Sequence, residues 1–143
     1  LHLHETLTAG GADFDAIYCL QPSSPLRGAD HVRGAWQAFV EQRVDCLVSV
    51  AAVDPHYFHW ALQPENDGWG LYFGDRFMRV RQELPPVYRP NGAIKIATLA
   101  ALRLNGNFFG APLGAYEMPD EDSVHVATAT DLRLCEAILG ARN

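Results

Sequence analysis

The chain has 143 residues, of which 48% are hydrophobic and 20% charged, with a net charge of −6. That length supports one domain with its own core, and the acidic balance argues against general binding to nucleic acid or an anionic membrane. No apolar run approaches the ~20 residues needed to cross a bilayer, and Leu1-His-Leu-His-Glu-Thr-Leu7 lacks the basic start and apolar centre of a signal peptide. A soluble, cytoplasmic protein is expected. Cys19, Cys46 and Cys135 are far apart in apolar settings. An odd count without close spacing suits free buried thiols, not a disulfide frame or a zinc site.

Leu3 and Leu7 are four apart and suit the tail of a helix over 1–9, stopped by Gly10-Gly11. His2 and His4 are two apart, a spacing better suited to solvated surface than to joint metal binding. Ala16 to Leu20 reads as a short strand covered on both faces. Pro22 and Pro25 then end it, because neither can donate to a ladder. Gln21, Ser23, Ser24 and Arg27 are left at its carboxyl end, where open α/β sheets bind ligands; a plain strand-to-helix connector is the other reading. A helix is predicted over 28–43, with Val32, Ala35, Trp36, Phe39 and Val40 as a core-facing stripe and Asp30 suiting the positive end of its dipole. Cys46–Val53 is a second apolar strand. Strand, helix and strand predict a βαβ unit with neighbouring parallel strands.

After Asp54-Pro55 the pattern changes. His56-Tyr-Phe-His59-Trp60 reads as a half-buried aromatic cluster, and Glu65-Asn-Asp-Gly68 as a turn. Leu71–Met78 reads as a hairpin around Gly74-Asp75. The prolines of 79–94 impose extended structure, with arginines spaced along it: a solvated linker or a functional arm. Ile94-Lys95-Ile96 is a strand, and Thr98–Asn105 a short helix ending at Asn105-Gly106. Phe108-Phe109 after the loop suits core packing. Thr128-x-x-Asp131 has the form of a capping box, ahead of the apolar run Leu132, Leu134, Ile138 and Leu139.

Leu20-Gln21-Pro-Ser23-Ser24-Pro-Leu-Arg27 resembles the Leu-Gln-Pro-Thr-Ser-Pro-Leu-Arg signature of the acylneuraminate cytidylyltransferases, which activate sialic and related nonulosonic acids as CMP-sugars. Gln82-Glu-Leu-Pro-Pro-Val-Tyr88-Arg-Pro-Asn-Gly-Ala93 is similar to a family segment that leaves the core as an arm. Phe108-Phe109, Tyr116-Glu-Met-Pro119 and Thr128-x-x-Asp131 follow in the family's order. The resemblance implies an α/β, Rossmann-like nucleotidyltransferase fold of the nucleotide-diphospho-sugar type. It further implies a single domain over 1–143 with a dimerisation arm at about 54–92, and a homodimer. By resemblance, Gln21, Ser23, Arg27, Lys95, Phe108 and Phe109 bind the acid sugar, and Arg81 and Arg89 reach a partner's site. Arginine suits that task, since its fork holds a carboxylate in two parallel hydrogen bonds. Lys95 stands where the family usually has Tyr.

The family's chemistry requires Mg²⁺ on two aspartates, and here those positions are His125 and Ala127. A hard cation prefers carboxylate oxygens, and transfer of CMP from CTP depends on metal to neutralise developing charge. Nor do the 143 residues contain the family's Gly/Ser/Lys/Arg-rich phosphate loop. The expectation is therefore a truncated or degenerate cytidylyltransferase homologue that binds no Mg²⁺ and is inactive as this chain alone. The alternative is a non-catalytic homodimeric module that binds an acid sugar or serves structurally. A weaker reading has His125 holding another metal with Glu121 or Asp122.

Overall fold

The computed structural model describes residues 14–142. The expected helix tail over 1–9, the Gly10-Gly11 stop and the His2/His4 pair lie outside these residues. The chain divides into two compact units. One takes the residues up to Ala51 together with those from Pro90 onward, and the other is Ala52–Arg89.

The first unit is built on a four-stranded mixed sheet. Its strands are β1 (Ala16–Cys19), β2 (Cys46–Val53), β5 (Val87–Thr98) and β6 (Leu113–Glu117), in the order β1-β5-β2-β6. β2 and β6 run parallel, with Cys46 opposite Leu113. β1 and β5 run antiparallel, with Ala16 opposite Thr98. The links from Thr98 N–H to Asp45 and from Ile94 N–H to Ser49 advance in opposite directions along the chain, so β5 also opposes β2. This corrects the expectation that β1 and β2 are neighbours: β5, some forty residues later, is inserted between them. Periodicity identifies strands but not the long-range pairing that separates them.

Helix α1 (Ala29–Gln42) follows β1 closely as expected. Gly28 N–H donates to His31 Nδ1 at 3.0 Å at its start. Arg43 ends it in the left-handed region (φ 52), with its N–H returned to the carbonyl of Val40. Ala35 and Phe39 join Leu47, Ala93, Ile94, Ile96 and Met118 in the main core. Fully buried side chains such as Leu47, Ile94 and Ile96 each contribute roughly 1.5–3 kcal/mol of apolar transfer. Trp36 and Val40 depart from the predicted stripe and are exposed. Trp36 stacks on Phe39 and leans towards Tyr18 of β1 instead. β1 is half-buried, not covered on both faces, because it ends the order of described strands.

On the sheet's other face, Cys46, Ala97, Ala101 and Leu102 cluster, with Ile17 and Phe108 packed against them. This places the short helix α3 (Leu99–Asn105), capped by Thr98 and stopped at Gly106. Helix α4 (Ala129–Arg142) closes the chain. Its predicted apolar run is largely surface: Leu132, Leu134 and Leu139 are exposed and Cys135 is buried. All three cysteines are free, with Cys46 and Cys135 buried and Cys19 half-buried.

In the Ala52–Arg89 unit, Asp54 caps a one-turn helix, α2 (Pro55–His59), by accepting from His56 N–H at 3.0 Å. The aromatic cluster is present: His59 is buried with Phe58, Phe73 and Phe77 around it. The hairpin consists of β3 (Leu62–Glu65) and β4 (Gly68–Leu71), turning at Asn66-Asp67. The expected hairpin at Gly74-Asp75 is a 3-10 turn over Gly74–Phe77. One glycine fits either turn, and pairing partners decide between them. No described helix is long and apolar enough to cross a membrane.

Candidate functional site

The loop after β1 turns twice within itself. Ser24 N–H donates to the carbonyl of Gln21 and Arg27 N–H to that of Ser24. The Arg27 guanidinium then donates through Nη1 to the carbonyls of Gln21 and Ala93, each at 2.9 Å. Arg27 thereby ties the loop to β5, and its role here is that of an anchor. Leu26 is buried behind it, and Ser24 Oγ is buried with no hydrogen-bond partner among the described residues.

Two distant segments meet this loop. Ser23 accepts from Val126 N–H at 2.7 Å through its carbonyl, and its Oγ lies 3.2 Å from His125 Nδ1. Gly92 supplies the floor. Its φ of +77 lies in the left-handed region, and a Cβ there would come within 2.7 Å of Gln21 Oε1 and 3.5 Å of His125 Nδ1. An amide and an imidazole therefore meet over a bare stretch of backbone, with the Ser23 hydroxyl beside the imidazole.

Beneath the floor lies a buried polar network. Asn91 Oδ1 accepts from Ser49 Oγ at 2.5 Å and from Ala93 N–H at 3.1 Å. Asn91 Nδ2 donates to Ser123 Oγ at 2.8 Å. Ser49 also accepts from Ile94 N–H at 2.8 Å. One side chain thus holds β2, the start of β5 and the segment leading to His125 in register.

The far rim is the start of α4. Asp131 Oδ2 accepts from Thr128 Oγ1, Ala127 N–H and Thr128 N–H, and Thr128 Oγ1 in turn accepts from Asp131 N–H. This is the reciprocal cap anticipated from Thr128-x-x-Asp131. The hydroxyl of Thr128, then the two backbone donors, hold Asp131 below the usual carboxylate range, and His125 adds to the shift.

The remaining sequence-predicted residues lie elsewhere. Lys95 shares the β5 face of Ala97, and its ammonium sits 6.0 Å from the Phe109 ring centroid. Phe108 is packed against the second core cluster, whereas Phe109 is half exposed. Arg81 and Arg89 belong to the Ala52–Arg89 unit, where Arg81 pairs with Asp54 at 3.3 Å.

These groups do not suit Mg²⁺. An imidazole, a hydroxyl and an amide replace the carboxylates it prefers, and the carboxylate of Asp131 is committed to its cap. Asp122 is held by Arg142 at 2.7 Å and by His31 at 3.4 Å, and Glu121 also faces Arg142. Among the described residues no three His, Cys, Asp or Glu side chains gather as metal ligands. No step is assigned to a metal here.

Gly92, Asn91 and His125 are the site residues that the sequence did not single out for this role. Asn-Gly at 91–92 carried a signal, since that dipeptide favours a positive φ. His125 is marked only as standing at a family aspartate position, and its contact with Ser23 is made across 102 residues.

No protein-family profile matches the chain. It is 34% identical over 120 residues, 83% of its length, to an N-acylneuraminate cytidylyltransferase of Streptococcus agalactiae serotype V. It is 29% identical over 133 residues to the enzyme of that name in Escherichia coli O18:K1:H7. It is 27% identical over 131 residues to post-translational flagellin modification protein B of Campylobacter coli, of which it spans 55%. The chain spans about three tenths of the length of the cytidylyltransferases it matches, 29% and 31% respectively. Over the span that it shares with them, the chain is a homologue of the N-acylneuraminate cytidylyltransferases.

Proposed function

We propose that this chain carries the acid-sugar side of a Rossmann-like cytidylyltransferase fold and binds a nonulosonic acid without transferring CMP by itself. The observation that carries this reading is the convergence of Gln21 and His125 over the bare backbone of Gly92, with Ser23, from the same family-like loop as Gln21, beside His125. Hydrogen-bonding groups over exposed backbone suit a ligand rich in hydroxyls and carboxylate oxygens. The activity for which the homologues are named supplies the class of sugar. Lys95 and Phe109, a cation beside an aromatic ring set apart from that convergence, form a second contact for the sugar in this proposal. His125 and Ala127, which stand where the resemblance leads one to expect metal-binding aspartates, carry no carboxylate, and this favours binding over catalysis by this chain.

The test is incubation with CTP, Mg²⁺ and a panel of nonulosonic acids, alongside calorimetry of each ligand. Sugar binding without release of pyrophosphate is expected. Turnover would refute the non-catalytic part, and failure to bind any acid sugar would refute the ligand class.

A homodimer through the arm is part of the same proposal, and it would place Arg81 and Arg89 at a partner's site. Its support is the apolar surface that the Ala52–Arg89 unit exposes, including Tyr57, Trp69, Tyr72 and Val80. Light scattering tests it, and a monomer at high concentration would end it. Three free thiols fit a reducing, cytoplasmic location, which fractionation of the source cells would check.

A further inference from the structure

Three basic side chains of the sheet-bearing unit are candidates to receive an acidic ligand's carboxylate. Arg27 is already committed, because its Nη1 donates to two backbone carbonyls. Lys95 lies on the β5 face of the second core cluster, beside Phe109. His125 remains. Its Nδ1 lies 3.2 Å from Ser23 Oγ and 3.5 Å from the point over Gly92 that Gln21 Oε1 also approaches.

The surroundings of His125 fix its position. The neighbouring Val126 N–H donates to the carbonyl of Ser23 at 2.7 Å. Two residues on, Ala127 and Thr128 donate to the cap of α4. The backbone that follows His125 is therefore held by hydrogen bonds, and Asn91 secures the segment before it through the Ser123 hydroxyl. The carboxylate of Asp131, on the same segment, accepts three hydrogen bonds of its own. Ser23 and Gln21 are neutral. A ligand carboxylate at this point meets an imidazole and a hydroxyl.

We propose that His125 is a specificity-determining ligand contact: with Ser23, it receives the carboxylate of the acid ligand directly, without an intervening metal ion. The proposal rests on the acid-sugar reading above and adds the group that selects the acid and the independence from metal. An imidazole N–H and the Ser23 O–H can each turn from their mutual contact to donate to one carboxylate oxygen. A carboxylate side chain at position 125 would oppose the ligand's charge in the same few ångströms.

The test is calorimetry of the full 143-residue chain with N-acetylneuraminic acid and with its methyl ester, in chelator and in Mg²⁺. Wild-type chain is expected to bind the acid equally well in both buffers and to prefer it to the ester. His125→Ala should lose tenfold or more in affinity for the acid and little for the ester. His125→Asp should lose more, and recover partly with Mg²⁺. His125→Gln, which keeps a donor, should fall between wild type and His125→Ala, and thermal melts of each variant check that the fold is kept. Acid binding that is unchanged in His125→Ala and His125→Asp, or that requires Mg²⁺ in the wild type, would overturn this proposal alone. Wild-type chain that binds no nonulosonic acid would overturn the acid-sugar reading and this proposal with it.

Discussion

Ser23 Oγ and His125 Nδ1 stand 3.2 Å apart although 102 residues separate them in sequence. The pair joins the turn after β1 to the segment before α4, and the adjacent Val126–Ser23 backbone bond holds the two segments together. Both are set against β5, which lies between β1 and β2. The site is therefore a product of sheet order as much as of any motif, and its supports are individually testable.

Gly92→Ala should be destabilised by roughly 1–2 kcal/mol, because φ is +77 and a side chain in the left-handed region is strained. The new methyl would also press on Gln21 Oε1, which is mobile enough to move but then leaves the site. Urea denaturation measures the first effect and sugar titration the second. Unchanged stability together with unchanged affinity would contradict the role assigned to this backbone.

Asn91→Ala should cost about 2–4 kcal/mol, since it leaves the buried hydroxyls of Ser49 and Ser123 each short of a partner. Asn91→Asp keeps the shape but buries a charge where a donor to Ser123 was needed, so it should be no milder. Chemical denaturation at neutral pH compares both with wild type. A loss under half a kcal/mol would show that the network does not hold the strands in register.

Arg27→Met should remove two bonds to backbone carbonyls and destabilise by about 2–3 kcal/mol, consistent with bonds from a charged donor. Arg27→Lys should recover only part of this, because an ammonium lacks the planar fork. Reduced stability with sugar affinity changed only modestly is the expected pattern. A large affinity loss at full stability would assign Arg27 to the ligand instead.

Asp131 gives a pH dependence with a definite sign. Its folded-state value lies below the ordinary carboxylate value, chiefly through the hydroxyl of Thr128 and then the backbone donors of Ala127 and Thr128. The folded chain therefore binds this proton less readily than the unfolded chain. The stabilisation is fully present above the unfolded value near 3.9 and is lost as pH falls through the lower folded value. Asp131→Asn should be less stable than wild type at neutral pH, and the difference should shrink on acidification below that point. Denaturation curves at several pH values check this; a gap that widens in acid would reverse the argument.

Local chemistry wrote much of the fold plainly. α1 and its glycine start, β2, the Thr98-capped α3 and the Thr128/Asp131 box all depend on contacts within a few residues, where propensity and capping act. The hairpin was read at the wrong glycine because Asn66-Asp67-Gly68 and Gly74-Asp75 are both good turns. Cross-strand pairing of Leu62 with Leu71 decides between them. Trp36 and the α4 leucines sit at apolar positions by spacing yet are exposed, since periodicity marks a face without showing what covers it.

By itself the sequence determined the turn after β1, the family that this loop resembles, and the presence of His125 and Ala127 where that resemblance leads one to expect carboxylates. These follow from residue identity alone. Only the tertiary structure decided that β5 separates β1 from β2, that Arg27 points into backbone carbonyls, and that Gln21 and His125 meet over Gly92 with Ser23 beside them. Those are contacts between segments tens of residues apart. Their formation depends on burying Ile94, Ile96, Leu47 and Phe39 in one core, a collective gain that no local pattern records.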